Sequence, residues 1–193
     1  ASVVRQTFTD AVARGVSHVV ADPGEASVVA AGTLPALRQR IGAIVTLPRI
    51  ETPIDGPAHL AWQVRAGVER AMADIGGRRL AGVLFASAED AFAGDGAAWT
   101  TLRDYVDQGL VDEIGVVLTE PEQAGMLDSL DGLGLVVVDL ADERMVAPQA
   151  SDHLAALASD VTILAFAAAN PEAQRAVLAV PWVDAVVGSP TCS

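Results

Sequence analysis

The chain has 193 residues, of which 51% are hydrophobic, and carries a formal net charge of −13. This length suits one domain with a single substantial core, and no apolar run reaches the roughly 18 to 20 residues that span a membrane. A pI near 4.4 means that the surface repels nucleic acid and anionic lipid, so neither is expected as a partner.

Side chains with special chemistry are few. All 12 residues counted as Lys+Arg are arginines, which excludes a Schiff-base lysine and a phosphate-binding P-loop lysine. The single cysteine, Cys192, cannot form an internal disulfide, and the sequence has no secretory leader pattern, so a cytoplasmic setting is expected. The histidines His18, His59 and His153 lie far apart in sequence, and no metal site is expected.

Short apolar runs alternate with longer helical patterns, which is typical of parallel strands covered on both faces. Strands are predicted at residues 17–21, 43–47, 80–85, 113–118, 135–140, 161–166 and 184–187. Helices are predicted at residues 3–14, 26–39, 57–75, 96–108, 121–130, 151–158 and 171–179. Helix-start signals support several of them, such as a proline in the first turn at Pro57.

This alternation predicts a parallel α/β fold, either a doubly wound open sheet or a (β/α)8 barrel. No GxGxxG motif follows a strand, which argues against the dinucleotide-binding open sheet. The chain opens on a predicted helix with no initiator methionine, so the eighth barrel strand is expected upstream of Ala1. We therefore predict a single domain over residues 1–193, a TIM-type barrel that is short or incomplete and lacks its first strand.

A barrel without one strand has two open sheet edges, which barrels normally avoid. We expect a partner chain to cover these edges. Another copy of the same chain, giving a homo-oligomer, is one candidate, and a local β-insertion is the alternative.

Four stretches carry a resemblance to a known family. GLVDEIGVVLTEPEQ, at residues 109–123, resembles the motif G-[LK]-V-R-x-I-G-V-S-N followed by a P-E-Q helix start. GDGAAWTTLRDYVDQG, LADERM and VDAVVGS, at residues 94–109, 140–145 and 183–189, resemble further motifs of the same proteins. Together with the order of segments, these stretches resemble the aldo/keto reductase family. The resemblance implies a (β/α)8 barrel that reduces a carbonyl group with hydride from NAD(P)H.

On this resemblance, most of the family's catalytic tetrad is absent. Asp22 matches the family's aspartate and is the one catalytic candidate, although it is also interpreted as a turn residue. Leu47 occupies the lysine position and Ala86 the histidine position, and the only tyrosine, Tyr105, lies within a predicted helix. Because a phenol needs a nearby cation to become acidic enough, these losses remove the acid and the groups that tune it.

The cofactor site is also altered on this resemblance. Val117 and Leu118 replace the Ser-Asn pair that holds the nicotinamide carboxamide, and Asp139 lies nearest the family's asparagine. NADP is the expected cofactor, and its phosphate suits exposed backbone N–H groups in the turn after the last strand. The candidate cofactor-binding residues are Gly188, Ser189 and Thr191.

Three interpretations therefore remain open: a working aldo/keto reductase with rearranged catalytic groups, a pseudoenzyme barrel that binds a metabolite or a protein, and a fragment of a longer barrel. The joint loss of tyrosine, lysine and histidine argues against the first. We therefore predict a carbonyl oxidoreductase scaffold that is catalytically degenerate, with the pseudoenzyme as the alternative. Ser87, Glu89 and Asp90 follow a predicted strand and are interpreted as a solvated loop rather than a polar site.

Overall fold

The computed structural model describes residues 17–21, 42–51, 56–76, 79–140, 143–167 and 171–188. The helices predicted at residues 3–14 and 26–39, and the candidates Asp22, Ser189 and Thr191, lie outside these residues. The described strands are β1 His18–Ala21, β2 Gly42–Thr46, β3 Leu80–Phe85, β4 Val111–Leu118, β5 Leu135–Asp139, β6 Thr162–Ala167 and β7 Ala185–Gly188.

Five α-helices and two 3-10 helices connect these strands in the described ranges. The α-helices are α1 Pro57–Ile75, α2 Ala88–Phe92, α3 Ala97–Asp107, α4 Pro148–Leu157 and α5 Pro171–Leu178. The 3-10 helices are Pro121–Ser129 and Glu143–Val146.

All seven described strands belong to one parallel sheet in which each strand pairs with the next along the chain. Doubly wound sheets reverse their strand order at a switch point, and this sheet does not. The order is that of a (β/α)8 barrel, and the seven strands form a partial barrel that is nearly closed. The prediction of a short or incomplete barrel is confirmed.

The alternation of side chains along each strand divides the apolar residues into two clusters. The inner cluster contains no helix residue; its buried members are Ile44, Leu84, Leu135, Val137 and Leu164. The outer cluster joins the opposite faces of the strands to helix residues such as Leu60 and Leu102. Each fully buried leucine in these clusters contributes about 1.5 to 3 kcal/mol to folding.

Helix α1 shows how local signals set an element's bounds. Pro57 occupies the first turn, and Gly76 ends the helix in the left-handed region with φ 65°. Glycine adopts this conformation without a steric penalty, which allows the backbone N–H of Gly76 to bond the carbonyl of Ala73. The predicted helix at residues 57–75 is confirmed.

Two predicted helices differ from the structure, and a short α-helix was not predicted. The segment predicted as an α-helix at residues 121–130 is the 3-10 helix Pro121–Ser129. The helix predicted at residues 151–158 begins earlier, at Pro148, because proline suits a first helical turn. Helix α2 was not predicted, since its five residues are too few to show a helical period.

Candidate functional site at the barrel mouth

The carboxyl ends of β2, β3, β4 and β6 surround an open cavity of about 330 Å³. This end of a TIM-type barrel is where enzymes of this architecture hold their reacting groups. The cavity is lined by Thr46, Leu47, Pro48, Arg49, Ala86, Val117 and Phe166. Apart from one hydroxyl and one guanidinium, its side chains are apolar.

Strand alternation decides which residue of β2 faces the barrel interior. Ile44 belongs to the inner cluster, so Thr46, two residues further along, faces the same way. Leu47 belongs to the outer cluster, and a Cβ added to Gly67 of α1 would lie 3.1 Å from Leu47 Cδ2. The side chain that faces inward is therefore Thr46, whereas Leu47 only borders the cavity and packs mainly on α1.

Ala86 and Val117 face the cavity as the sequence predicted. Ala86 follows β3 in phase with Leu84 of the inner cluster, and Val117 packs against that cluster from β4. Leu118 instead belongs to the outer cluster and is fully buried there. A methyl and an isopropyl group thus stand where the resemblance places a histidine and a serine, and neither group forms hydrogen bonds.

Tyr105 lies far from this chemistry in the helical layer. It sits on α3 with 8% of its surface exposed and belongs to the outer cluster. Burial raises the pKa of the Tyr105 phenol, and the negative charge of Glu69 raises it further. A phenol with a raised pKa outside the barrel interior cannot protonate a ligand at the mouth.

A buried carboxylate connects the loop after β2 to α2. Asp90 is 6% exposed, and its backbone N–H donates to the hydroxyl of Ser87, which caps the helix. Its Oδ1 accepts from the backbone N–H of Ile50 at 3.4 Å. Its Oδ2 makes no hydrogen bond in the described ranges, but the Nε of Arg49 lies 3.2 Å away and compensates its charge.

A second polar contact connects the loops after β3 and β4. The Nε2 of Gln123 donates to both oxygens of Glu89, and its Oε1 accepts from the backbone N–H of Thr119 at 2.9 Å. Partial burial raises the pKa of Glu89, but hydrogen bonds from Gln123 and Ser87 and the charge of Arg49 outweigh it and lower the pKa overall. Glu89 is therefore held as a carboxylate beside the mouth.

These contacts correct the interpretation of the segment after β3 as a solvated loop. Ser87 is fully buried and Asp90 nearly so, and both serve the start of α2. Only Glu89 of the three is exposed. The segment connects neighbouring loops, because its polar atoms form hydrogen bonds and an ion pair within the fold.

The side chains around the expected nicotinamide position match only half of a carboxamide. Val117 and Leu118 offer no donor for its oxygen, whereas the carboxylate of Asp139, exposed at the end of β5, is an acceptor suited to its N–H groups. Gly188 ends β7, where Ala167 is its strand partner. The other candidate cofactor residues, Ser189 and Thr191, and the catalytic candidate Asp22 are outside the described ranges.

Within the described part of the chain, no group of three or more His, Cys, Asp or Glu residues could hold a metal ion. None of the helices in the same ranges is long and apolar enough to cross a membrane.

Sequence reasoning missed four lining residues, Thr46, Pro48, Arg49 and Phe166. Counting two residues on from Ile44 would have found Thr46, because side chains alternate along a strand. Arg49 lies in the loop after β2, behind Leu47 and Pro48, and loops at this end of the strands carry function in barrels. No local signal marks Phe166, whose role depends on β6 lying in register with β5 and β7.

Comparison with known proteins gives a consistent fold and no close relative. Neither a protein-family model nor a curated protein matches the sequence. A solved structure assigned to the aldo-keto reductases of Pseudomonas aeruginosa has a TM-score of 0.73 and 18% identity, over 96% of this chain and 77% of that one. The holo form of an aldo-keto reductase from Bacillus halodurans has a TM-score of 0.68 and 11% identity, over 96% and 76%.

An aldose reductase from Schistosoma japonicum aligns with a TM-score of 0.64 and 15% identity, over 96% of this chain and 74% of that one. The chain thus has the barrel fold of the aldo-keto reductases. The resemblance inferred from the four sequence stretches is confirmed at the level of the fold.

Proposed function

We propose that this chain is an aldo/keto-reductase-like barrel that has lost hydride transfer and binds a small apolar molecule at its mouth. The observation that carries this proposal is the lining of the mouth cavity. Ala86 and Val117 occupy it at the positions where the resemblance implies a histidine and a serine. This assignment favours the pseudoenzyme that binds a metabolite over a working carbonyl oxidoreductase.

The loss of catalysis is supported by the lack of a suitable acid among the described lining residues. A carbonyl that accepts hydride must also receive a proton from a group whose pKa lies near the working pH. The cavity offers the hydroxyl of Thr46 and the guanidinium of Arg49. Neither releases a proton readily near neutral pH.

The binding role is supported by the shape and lining of the cavity. Its volume of about 330 Å³ is at the lower end of ligand pockets, and an apolar lining with few polar groups is typical of them. The contacts from Gln123 to Glu89 and from Arg49 to Asp90 fix the loops that form its wall. A fixed wall reduces the ordering that a ligand must impose.

NADP is proposed with a narrower role than in a reductase. Any affinity for it is assigned to Gly188, Ser189 and Thr191, which the resemblance implies as the phosphate site. Asp22 is assigned no proton-transfer role, because on the resemblance the tyrosine, lysine and histidine that act with this aspartate are absent. This limits NADP to binding without turnover.

The test combines cofactor, turnover and ligand measurements on the full chain. NADPH is titrated by calorimetry, its absorbance is followed with benzaldehyde, and binding of the neutral probe phenylacetamide is followed by ligand-observed NMR. We expect no aldehyde-dependent oxidation, and we expect phenylacetamide binding that Ala86→Phe abolishes by filling the cavity. The matched control is Ala155→Phe, at an exposed site on α4.

Two outcomes contradict the proposal separately. Aldehyde-dependent oxidation of NADPH by the wild-type chain would restore the reductase assignment. Phenylacetamide binding that survives Ala86→Phe would place the ligand elsewhere.

The partner assignments follow from charge and from the sheet edges. A net charge of −13 supports the absence of nucleic acid and membrane partners. Strands β1 and β7 each have one strand neighbour in the described ranges, which supports a homo-oligomer in which a second copy covers an edge. Light scattering tests this, and a monomer mass across the concentration range would contradict it.

A further inference from the structure

We infer that the mouth cavity selects an apolar monocarboxylate. The carboxylate of this ligand binds Arg49 and accepts a hydrogen bond from the hydroxyl of Thr46, and its apolar body packs on Phe166. The inference rests on the proposed ligand-binding role of the mouth. It adds the chemical class of the ligand and the residues that select it.

Arg49 supplies the charge. It lies on the cavity wall with 62% of its side chain exposed, and its Nε pairs with the Oδ2 of Asp90 at 3.2 Å. The Asp90 side chain is 8% exposed and is itself fixed through Ile50, so it orients the guanidinium. No other partner in the described ranges engages the terminal nitrogens of Arg49, which are suited to bind a carboxylate in a bidentate manner.

Thr46 supplies the hydroxyl of the described cavity wall. The residue is 6% exposed and lines the cavity at the end of β2, in phase with Ile44 of the inner cluster. A hydroxyl donates one hydrogen bond, and a carboxylate oxygen of the ligand is a suitable acceptor for it.

The rest of the wall determines the body of the ligand. Phe166 offers an aromatic surface at the end of β6, and Val117, Ala86 and Pro48 add aliphatic surface. None of these four side chains offers a hydrogen bond. A compact aromatic or branched aliphatic group therefore fits this part of the cavity better than a polar one.

The neighbouring charges limit the ligand to a single negative charge. Asp90 already balances Arg49, and the carboxylate of Glu89 lies at the start of the same helix. A dianion or a phosphate chain would meet repulsion from these groups and from a chain of net charge −13. A monocarboxylate forms the charged contact with the least repulsion.

Titration calorimetry at low salt with phenylacetate and phenylacetamide tests the inference. The two probes share their apolar body and differ in charge. We expect the acid to bind the wild-type chain at least about tenfold more tightly than the amide, the size of a hydrogen bond to a charged group. Arg49→Gln should bring the two affinities within about twofold. Arg49→Lys should leave an intermediate preference for the acid, because lysine keeps the charge but cannot form the bidentate contact of a guanidinium.

Thr46→Val keeps the shape and removes the hydroxyl, and we expect it to weaken phenylacetate about fivefold. The control Arg70→Gln removes an equal charge from α1, at a side chain that is 83% exposed, and should leave both affinities unchanged. Circular dichroism and thermal melting of each variant show that it is folded. If Arg49→Gln does not fold, the comparison of Arg49→Lys with the wild-type chain decides whether the geometry of this arginine matters.

The outcomes separate this inference from the proposal beneath it. If phenylacetamide binds and Ala86→Phe abolishes its binding, but phenylacetate binds no more tightly, the selectivity inference is overturned and binding at the mouth stands. A preference for the acid that survives Arg49→Gln also overturns the inference. If neither probe binds, both are overturned.

Discussion

The side-chain amide of Gln123 donates hydrogen bonds to both carboxylate oxygens of Glu89, at 2.7 and 2.8 Å. Gln123 is 4% exposed and lies on the 3-10 helix after β4, whereas Glu89 lies on α2 after β3. The contact therefore joins two neighbouring loops of the barrel mouth that share no backbone hydrogen bond in the described ranges.

Removing this contact should destabilise the fold. We expect Gln123→Ala to lower the free energy of unfolding by about 2 kcal/mol, since a buried hydrogen bond to a charged group is lost. Urea denaturation followed by circular dichroism measures the change. Glu122→Ala, at the exposed neighbouring position, is the control and should remain within about 0.5 kcal/mol of wild type. Equal effects of the two substitutions would contradict the role of Gln123.

The lowered pKa of Glu89 predicts acid sensitivity. Partial burial opposes the shift, but the hydrogen bonds from Gln123 and Ser87 outweigh it, so the folded chain binds the proton less readily than the unfolded chain. The stabilisation from Glu89 is thus present above the unfolded pKa, about 4.3, and lost as the pH falls through the folded pKa. Glu89→Gln should reduce the fall in the free energy of unfolding at acidic pH, as measured by urea titrations at a series of pH values. An unchanged dependence on pH would refute the assignment.

The contribution of Glu113 to stability should show the opposite dependence on pH. Burial raises its pKa, the charge of His18 lowers it and that of Asp112 raises it, with a net increase. A raised carboxyl pKa gives stabilisation that is present below the unfolded pKa and lost as the pH rises through the folded pKa. Glu113→Gln should therefore be more stable than wild type at neutral pH and equal to it in acid. A variant less stable at neutral pH would contradict this.

Gly115 marks a close approach of two strands. It pairs with Leu135 across β4 and β5, and a Cβ at this position would lie 1.8 Å from the carbonyl oxygen of Leu135. We expect Gly115→Ala to lower the free energy of unfolding by about 3 kcal/mol or more, because backbone must move. Gly125→Ala is the control: its Cβ would lie 3.7 Å from His153, an ordinary contact, and the change should be small.

A substitution of Tyr105 tests whether this phenol takes part in ligand or cofactor binding. Because the phenol is buried in the helical layer, we expect Tyr105→Phe to leave phenylacetamide and NADPH binding unchanged. Parallel NMR and calorimetric titrations measure both. Weaker binding of phenylacetamide or NADPH by Tyr105→Phe than by the wild-type chain would contradict this placement.

The sequence predicted the barrel well because strand and helix signals are local. The seven apolar runs and the Pro57 and Gly76 boundaries of α1 were readable without the structure. The residues of the candidate site were harder to predict from the sequence. The resemblance pointed to Leu47, whereas the strand's own alternation turns Thr46 inward, and a motif match one residue out of phase selects the opposite face.

Contacts between distant loops could not be predicted for a different reason. Gln123 and Glu89 are 34 residues apart, and the pairing of Arg49 with Asp90 depends on the register of β2 and β3. Neither residue type nor spacing signals such a pair. Ser87 and Asp90 were misread because a short helix that starts with a buried cap has the composition of a loop.

The separation of the apolar side chains into an inner and an outer cluster has an evolutionary consequence. The outer cluster binds helices to strands and includes most of the buried residues, whereas the cavity wall consists of single positions at the ends of strands, such as Ala86 and Val117. Substitutions on that wall alter the mouth while the packing that specifies the fold persists. A sequence can therefore diverge at these positions without losing the barrel.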